Sequence, residues 1–347
     1  MSKVSFCVTE PPAPPAKPAA SACPDWQSAL ADAVTDPAEL CQSLGLPASV
    51  ASSSGGAHQA FPLFVPRGFI ARMRSGDPED PLLLQVLPRQ EEVLEHRGFT
   101  ADPLGEANGC WTPGVLWKYP SRVLIVATGV CAVHCRFCFR RHFPYSTVQQ
   151  HERRWEQALE QIASEPSVRE VILSGGDPLA MEDDVLADFA RRLAQVDHVR
   201  RLRIHTRLPI MIPQRVTEGL CRWLRGTRLT PYIVVHINHP RELDPSVEGA
   251  MGRLVEAGIP VLSQSVLLKG VNDRVEVLAE LCERLTDLRI IPYYLHQLDP
   301  VTGAAHFEVS EDAGRHLIGQ LRSRLPGYAV PRYVREVPGM PSKVVLQ

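Results

Sequence analysis

The sequence predicts an α/β protein built as a partial (β/α)6 barrel of the TIM type, preceded by a helical region. Two observations carry this expectation. From residue 120 onward, six apolar strand-like runs alternate with amphipathic helical stretches, the pattern of parallel βαβ units with right-handed crossovers. Polar residues gather at the C-terminal ends of those runs, the face that carries chemistry in barrel enzymes.

In chain order, residues 1–23 are rich in proline and alanine (Pro11, Pro12, Pro14, Pro15, Pro18) and predict a disordered tail. Residues 24–105 read as a helical region. Asp25 caps a helix over 26–34, Asp36 caps a short one ending at Leu44, and 61–87 holds further short helices broken by Gly76, Pro78 and Pro81. Residues 106–330 form the core domain. Its strands are expected over 123–127, 170–174, 202–206, 232–238, 261–267 and 290–295. Helices are expected between them over 154–163, 183–194, 216–224, 246–257 and 275–285. Residues 331–347 are a C-terminal segment carrying Lys343.

Composition excludes several classes. The 347 residues are 44% hydrophobic and 22% charged, as in an ordinary globular protein. A net charge of −2 gives no basic field for nucleic acid. No apolar run nears the roughly 20 residues that cross a bilayer, and the N-terminus lacks the layout of a secretion signal. Nine cysteines are too few for a disulfide scaffold, and the number is odd. A cytoplasmic, reducing location follows as the expectation.

The chemistry starts at Cys131-Ala-Val-His-Cys135-Arg-Phe-Cys138. Three thiolates can hold three irons of a [4Fe–4S] cube and leave the fourth open for a substrate, whereas clusters that only carry electrons normally have four. A zinc ion with His134 or His142 as fourth ligand also fits the spacing; a disulfide with a spare thiol needs an oxidising compartment. The polar strand ends follow in order: Ser174-Gly175-Gly176-Asp177-Pro178, then Thr206 and Arg207, His236, Asn238 and His239, Gln264, and last His296 and Asp299. Gly175 and Gly176 suit either a close backbone approach to a ligand or a plain strand-to-helix turn. His236 and Gln264 sit where a ribose or adenine could be held; a satisfied core histidine is the alternative. Asp299 could pair with a cation or start an Asp-Pro turn. Arg140 could grip a carboxylate at two points or make a salt bridge within the fold. Lysine occurs only at 3, 17, 118, 269 and 343. Lys343, in a turn shaped by Pro338, Gly339 and Pro341, is one candidate for imine chemistry; Lys118 and Lys269 are the others.

The cysteine spacing and the Gly175-Gly176-Asp177-Pro178 turn resemble the radical S-adenosylmethionine superfamily. More narrowly, the chain is similar to the lysine 2,3-aminomutase family over roughly residues 25–345. The similarity rests on Tyr119-Pro-Ser-Arg122, Arg203-Ile-His-Thr-Arg207, His236-Ile-Asn-His-Pro240, Ser263-Gln-Ser-Val-Leu-Leu268 and the Lys343 turn. Cys138-Phe-Arg-Arg-His-Phe-Pro-Tyr145, Pro292-Tyr-Tyr-Leu-His296, Gly303-Ala-Ala-His-Phe307 and Pro341-Ser-Lys343 bring it nearest to the bacterial branch that makes (R)-β-lysine for elongation factor P.

The resemblance implies a barrel of the radical S-adenosylmethionine type and an isomerase. Cys131, Cys135 and Cys138 would hold a [4Fe–4S] cluster, with S-adenosylmethionine near Gly175, Gly176, His236 and Gln264. Lys343 would bond pyridoxal phosphate, helped by Tyr119 and Arg122. Arg140 would take the carboxylate of L-lysine, and Asp299 with Glu336 its side-chain ammonium. It also implies a reducing, flavodoxin-like electron donor, a ligase acting on elongation factor P that receives the product, and a homo-oligomer as an open option. Two departures stand out: Glu336 replaces the family's Asp, and Val344-Val345 replace its usual Thr-Pro. No C-terminal extension follows Gln347, so a zinc site or tetramer contact carried there is not expected. The rival readings are an aminomutase for another amino acid such as glutamate, which Asp299 would repel, and a non-catalytic iron–sulfur or zinc module, perhaps for RNA.

Overall fold

The structure, a computed structural model, describes residues 25–106, 110–112, 114–145 and 151–346. The proline-rich tail expected over 1–23 lies outside the described residues. The N-terminal region holds α1 (Trp26–Ala31), α2 (Pro37–Ser43), α3 (Ala48–Ser52), α4 (Gly55–Ala60) and α5 (Arg67–Ile70). Asp25 caps α1 by accepting the Ser28 N–H at 2.7 Å, and Asp36 caps α2 through the Ala38 N–H at 2.9 Å. The helix expected over 26–34 stops at Ala31, because Val34 exchanges two backbone hydrogen bonds with Val65, of 2.8 and 3.0 Å. After Ile70 the chain runs mainly in turns. The Asp80 carboxylate takes the N–H groups of Arg74, Leu82 and Leu83 at 3.0, 2.9 and 3.2 Å, supplying the partners a helix ladder would otherwise provide.

The sheet begins with β1 (Cys110–Thr112), β2 (Val115–Tyr119) and β3 (Arg122–Thr128). Next come α6 (His151–Ser164), β4 (Glu170–Gly175), α7 (Asp183–Leu193), β5 (Arg201–Thr206), α8 (Leu208–Met211) and α9 (Glu218–Arg225). After them come β6 (Thr230–His236), α10 (Pro245–Glu256), β7 (Val261–Val266), α11 (Val275–Asp287) and β8 (Ile291–His296). The chain ends with α12 (Glu311–Arg324), β9 (Arg332–Arg335) and β10 (Val344–Val345). The six expected strands are β3 to β8, in chain order and parallel, which makes the partial barrel. The structure adds β9, parallel to β8, and antiparallel edges in β1, β2 and β10. The ten strands run in one linear order, and no pair among the described residues joins β1 to β10, so the sheet is open. β4 is apolar through Val171, Ile172 and Leu173, all buried, because both of its faces are covered there, whereas β5 and β7 carry polar residues such as His205 and Gln264 among their apolar ones.

One core runs from Trp26, Leu40, Phe69 and Leu83 into Ile125, Val171, Ile204 and Ile233, so the N-terminal region packs on the barrel. A second joins Leu278, Leu295, Leu321, Tyr333 and Leu346, seating β9 and the C-terminal segment against α11 and α12. No helix among the described residues is long and apolar enough to cross a membrane.

Candidate active site

A cavity of about 540 Å³ opens within the curved sheet. Its wall contains Cys131, Cys135 and Cys138, from the loop after β3. Gly175 and Gly176 line it after β4, and His236 and Gln264, register partners on β6 and β7, line it beside them. Tyr119, Arg122, Arg140, Asp299, Glu336 and Lys343 complete the set of residues singled out from the sequence. Lys343 stands one residue before β10 and Glu336 one residue after β9, so the last hairpin brings both to the mouth.

The cysteine loop is clasped from two sides. On one side the N-terminal region receives the His134 N–H on the Phe64 carbonyl at 3.0 Å and the Arg136 N–H on that of Gln85 at 2.9 Å. The Arg136 side chain, fully buried, bonds Glu92 through two nitrogens at 2.9 and 2.6 Å and the Phe61 carbonyl at 2.7 Å. On the other side Gly176 N–H reaches the Thr128 carbonyl at 2.8 Å and Asp177 N–H that of Val130 at 2.7 Å. This contact explains both glycines. A Cβ on Gly176 would lie 2.3 Å from the Val130 oxygen, and one on Gly175, whose φ is +111°, 2.7 Å from Val126. What presses on Gly176 is the backbone leading to Cys131, while Gly175 meets the Val126 side chain and, at 3.0 Å, the Thr128 carbonyl. Asp177 then ties β4 to β5, accepting from the Thr206 hydroxyl at 2.6 Å and the N–H groups of Arg207 and Leu208 at 2.7 and 2.8 Å.

All three cysteines are free. Burial, then Cys138, pushes the Cys131 thiol well up, and burial, then Cys135, pushes Cys138 up to about 11. Desolvation and the neighbouring sulfurs disfavour the thiolate at half-buried Cys131 and Cys138, and a cation beside them would favour it, which is the chemistry an iron cluster supplies. Among the described residues no three His, Cys, Asp or Glu side chains gather closely enough to ligate a single ion. His134 turns its Nδ1 to the Pro62 carbonyl at 2.8 Å and stacks on Phe61, and His142 turns its Nε2 to that of Thr302 at 3.1 Å.

Three half-buried histidines line the same cavity. Burial, then Arg207, brings His236 down to about 3; burial, then Lys343, brings His296 to about 3; burial, then Arg203, takes His205 well below its usual value. All three are neutral imidazoles. Nε2 of His236 and of His205 is buried with no protein partner, an arrangement that suits a bound polar ligand.

Opposite them runs a chain of alternating charge. Glu106 bonds Arg140 at two points, 2.6 and 2.9 Å, and Lys118 at 2.9 Å. Lys118 reaches on to Glu336 at 2.8 Å, and Glu336 pairs with Lys343. Burial opposes ionisation of Glu336, but Lys343, then Lys118, holds it down at about 2. Asp299, facing this chain with no cation bonded to it among the described residues, is pushed up to about 7 by burial and then by Glu336. Arg122 stacks over the Tyr119 ring at 4.5 Å, which fixes a guanidinium inside the cavity as an anchor suited to an anion.

Comparison with known proteins bears on what this cavity serves. Residues 125–282 match the radical SAM superfamily. The L-lysine 2,3-aminomutase of Escherichia coli (strain K12) is 47% identical over 323 residues, 93% of this chain and 94% of that protein. That of Haemophilus influenzae is 44% identical over 321 residues, 92% and 95% of the two chains. The Clostridium subterminale enzyme is 36% identical over 287 residues, 80% of this chain and 69% of that one. The chain belongs to the L-lysine 2,3-aminomutase family. As a member of that family it is an enzyme of the isomerase class, and the radical SAM superfamily implies a [4Fe–4S] cluster, S-adenosylmethionine and a reductant.

Family membership directs attention to residues that the motifs did not single out for roles. Glu106 lies in a loop where a buried carboxylate has no sequence signature. Lys118 was one of five lysines, but its place between two glutamates depends on chain segments 218 residues apart. His205 and Arg207 stood in the Arg203–Arg207 motif, yet strand alternation alone could not say that His205 keeps an unpaired nitrogen in the cavity.

Proposed function

We propose that the protein is an L-lysine 2,3-aminomutase that converts L-α-lysine to (R)-β-lysine by a radical 1,2-amino shift. The observation that carries this reading is that Lys343 and the three cysteines, 205 residues apart at the nearest, line one cavity. The free thiols fit a cluster, the orphaned His236 nitrogen and Gln264 fit S-adenosylmethionine, and Lys343 with Tyr119 and Arg122 fits pyridoxal phosphate. When bound, the cluster with S-adenosylmethionine supplies a carbon radical for hydrogen abstraction, and pyridoxal phosphate supplies the conjugated group that spreads the unpaired electron while nitrogen moves.

The protein's part is placement. Arg140, kept charged by Glu106 against the cost of burial, gives the substrate carboxylate a fixed cation. Asp299 and Glu336 offer a side-chain ammonium two carboxylates, and the same pair repels a side-chain carboxylate, which disfavours glutamate. The neutral histidines add polar contacts without adding charge, and the surrounding walls keep water from the reacting carbons. We place the enzyme in the cytoplasm, served by a flavodoxin-like donor, with its β-lysine passed to a ligase acting on elongation factor P; the motif match to that branch supports this destination.

Anaerobic reconstitution with iron, sulfide and pyridoxal phosphate tests the assignment. The wild type should show cluster absorption and a separate pyridoxal band, and Lys343→Ala should keep the first and lose the second. Incubation with a panel of amino acids should yield a β-amino product from lysine; product from glutamate and none from lysine would refute the substrate.

A further inference from the structure

Arg207 directly follows β5 and has no task in the reading above. Its guanidinium is buried and points at the cysteine loop: Nη1 donates to Cys135 Sγ at 2.8 Å. Nη2 donates to Gln85 Oε1 at 2.6 Å and to Glu242 Oε2 at 3.1 Å. Its backbone N–H is held by Asp177 at 2.7 Å, and the rings of Phe69 and Phe137 lie 5.8 and 5.6 Å from it. The supports are themselves fixed. Glu242 Oε1 accepts from the backbone N–H groups of Asn238 and His239 at 3.0 and 3.1 Å, and from Gln85 Nε2 at 3.2 Å. A neutral thiol has no need of a charged donor held this firmly; a thiolate does. The three sulfurs are therefore not equivalent: among the described residues, Cys135 is the one that takes a hydrogen bond from a charged side chain.

We propose that Arg207 is a positioning residue that holds the Cys135 thiolate by a charge-assisted N–H···S bond and raises the reduction potential of the metal centre. This rests on the cluster assignment of the preceding subsection. A reduced cluster carries one more electron, taken from a low-potential donor, than the oxidised one. A fixed positive charge and a hydrogen bond at a ligating sulfur stabilise that extra negative charge. Glu242 opposes the same field, so the pair sets the potential between two extremes.

The test is a dithionite titration with redox mediators of the anaerobically reconstituted full chain, without S-adenosylmethionine, followed by electron paramagnetic resonance. E242Q removes the countercharge and should shift the midpoint upward. The double variant R207M/E242Q removes both charges and leaves neither buried alone, so it should shift the midpoint below the wild type. A merely structural role would not give shifts of opposite sign. The double variant decides, with E242Q as its control for the lost countercharge: a double-variant midpoint below the wild type supports the proposal, and one equal to or above the wild type overturns it. A wild-type chain that takes up no cluster refutes the cluster assignment itself, and the two failures are thereby distinct.

Discussion

At the scale of single residues, Asp299 shows how burial prepares a group for its partner. Its carboxyl titrates at about 7 because burial and the neighbouring Glu336 both oppose its charge. An arriving ammonium would relieve both. In the free enzyme Asp299 is neutral below that pH, so kcat/KM for lysine should fall as pH drops from 8 to 6, and Asp299→Asn should flatten this limb. The substitution should also lower kcat/KM by roughly 10–100-fold, the worth of one charged hydrogen bond. Stability should move the other way. A raised carboxyl makes the folded state bind its proton more tightly than the unfolded chain, so wild-type stability falls as pH rises from about 4 to 7. Asp299→Asn escapes that fall, and at pH 8 it should unfold at higher urea than the wild type. Loss of activity together with lowered stability would show that Asp299 is a structural acid. The sequence marked Asp299, Lys343 and the cysteines because each belongs to a short local pattern. It could not mark Glu106, whose importance lies entirely in meeting Arg140 and Lys118 across the fold.

Among elements, the legible ones were those whose pattern is set locally. Strands β3 to β8 announced themselves as runs rich in apolar residues spaced regularly between amphipathic helices. β9 did not, since only Tyr333 and Val334 are buried between two exposed arginines. α12 was obscured by Gly314, which reads as a helix breaker; a Cβ there would lie 2.2 Å from the Tyr333 hydroxyl, so the glycine admits β9 against the helix. The turn after β4 was visible as two glycines, but its purpose was not. Gly176 is small because the Val130 carbonyl crosses it, and that crossing aims the cysteine loop. Gly176→Ala should therefore push two backbones apart, costing about 1–3 kcal/mol as in other overpacked sites, read as a lower urea midpoint with unchanged slope. Cluster uptake should fall with it. Wild-type stability in this variant would mean that the loop yields freely and does not depend on the turn.

For the whole molecule, the open sheet raises the question of what holds its ends. Lys118 lies on β2 and Glu336 just beyond β9, at opposite ends of the linear strand order, yet their side chains meet at 2.8 Å. The ion chain from Arg140 to Lys343 thus bridges across the cavity where backbone hydrogen bonds would close a full barrel. Charges do this less firmly than a strand ladder, and they leave room for ligands between the edges. Lys118→Met tests the idea without stranding a carboxylate, because Glu106 keeps Arg140 and Glu336 keeps Lys343. The variant should lose about 1.5–3 kcal/mol, the range of a hydrogen bond to a charged group. The loss should be local: amide hydrogen exchange should quicken in β1, β2, β9 and β10 while β4 to β7 keep their protection, because the inner strands are held by parallel pairing and the main core. Equal quickening everywhere would mean that Lys118 supports the fold as a whole, and unchanged exchange at the edges would mean that packing alone holds them together.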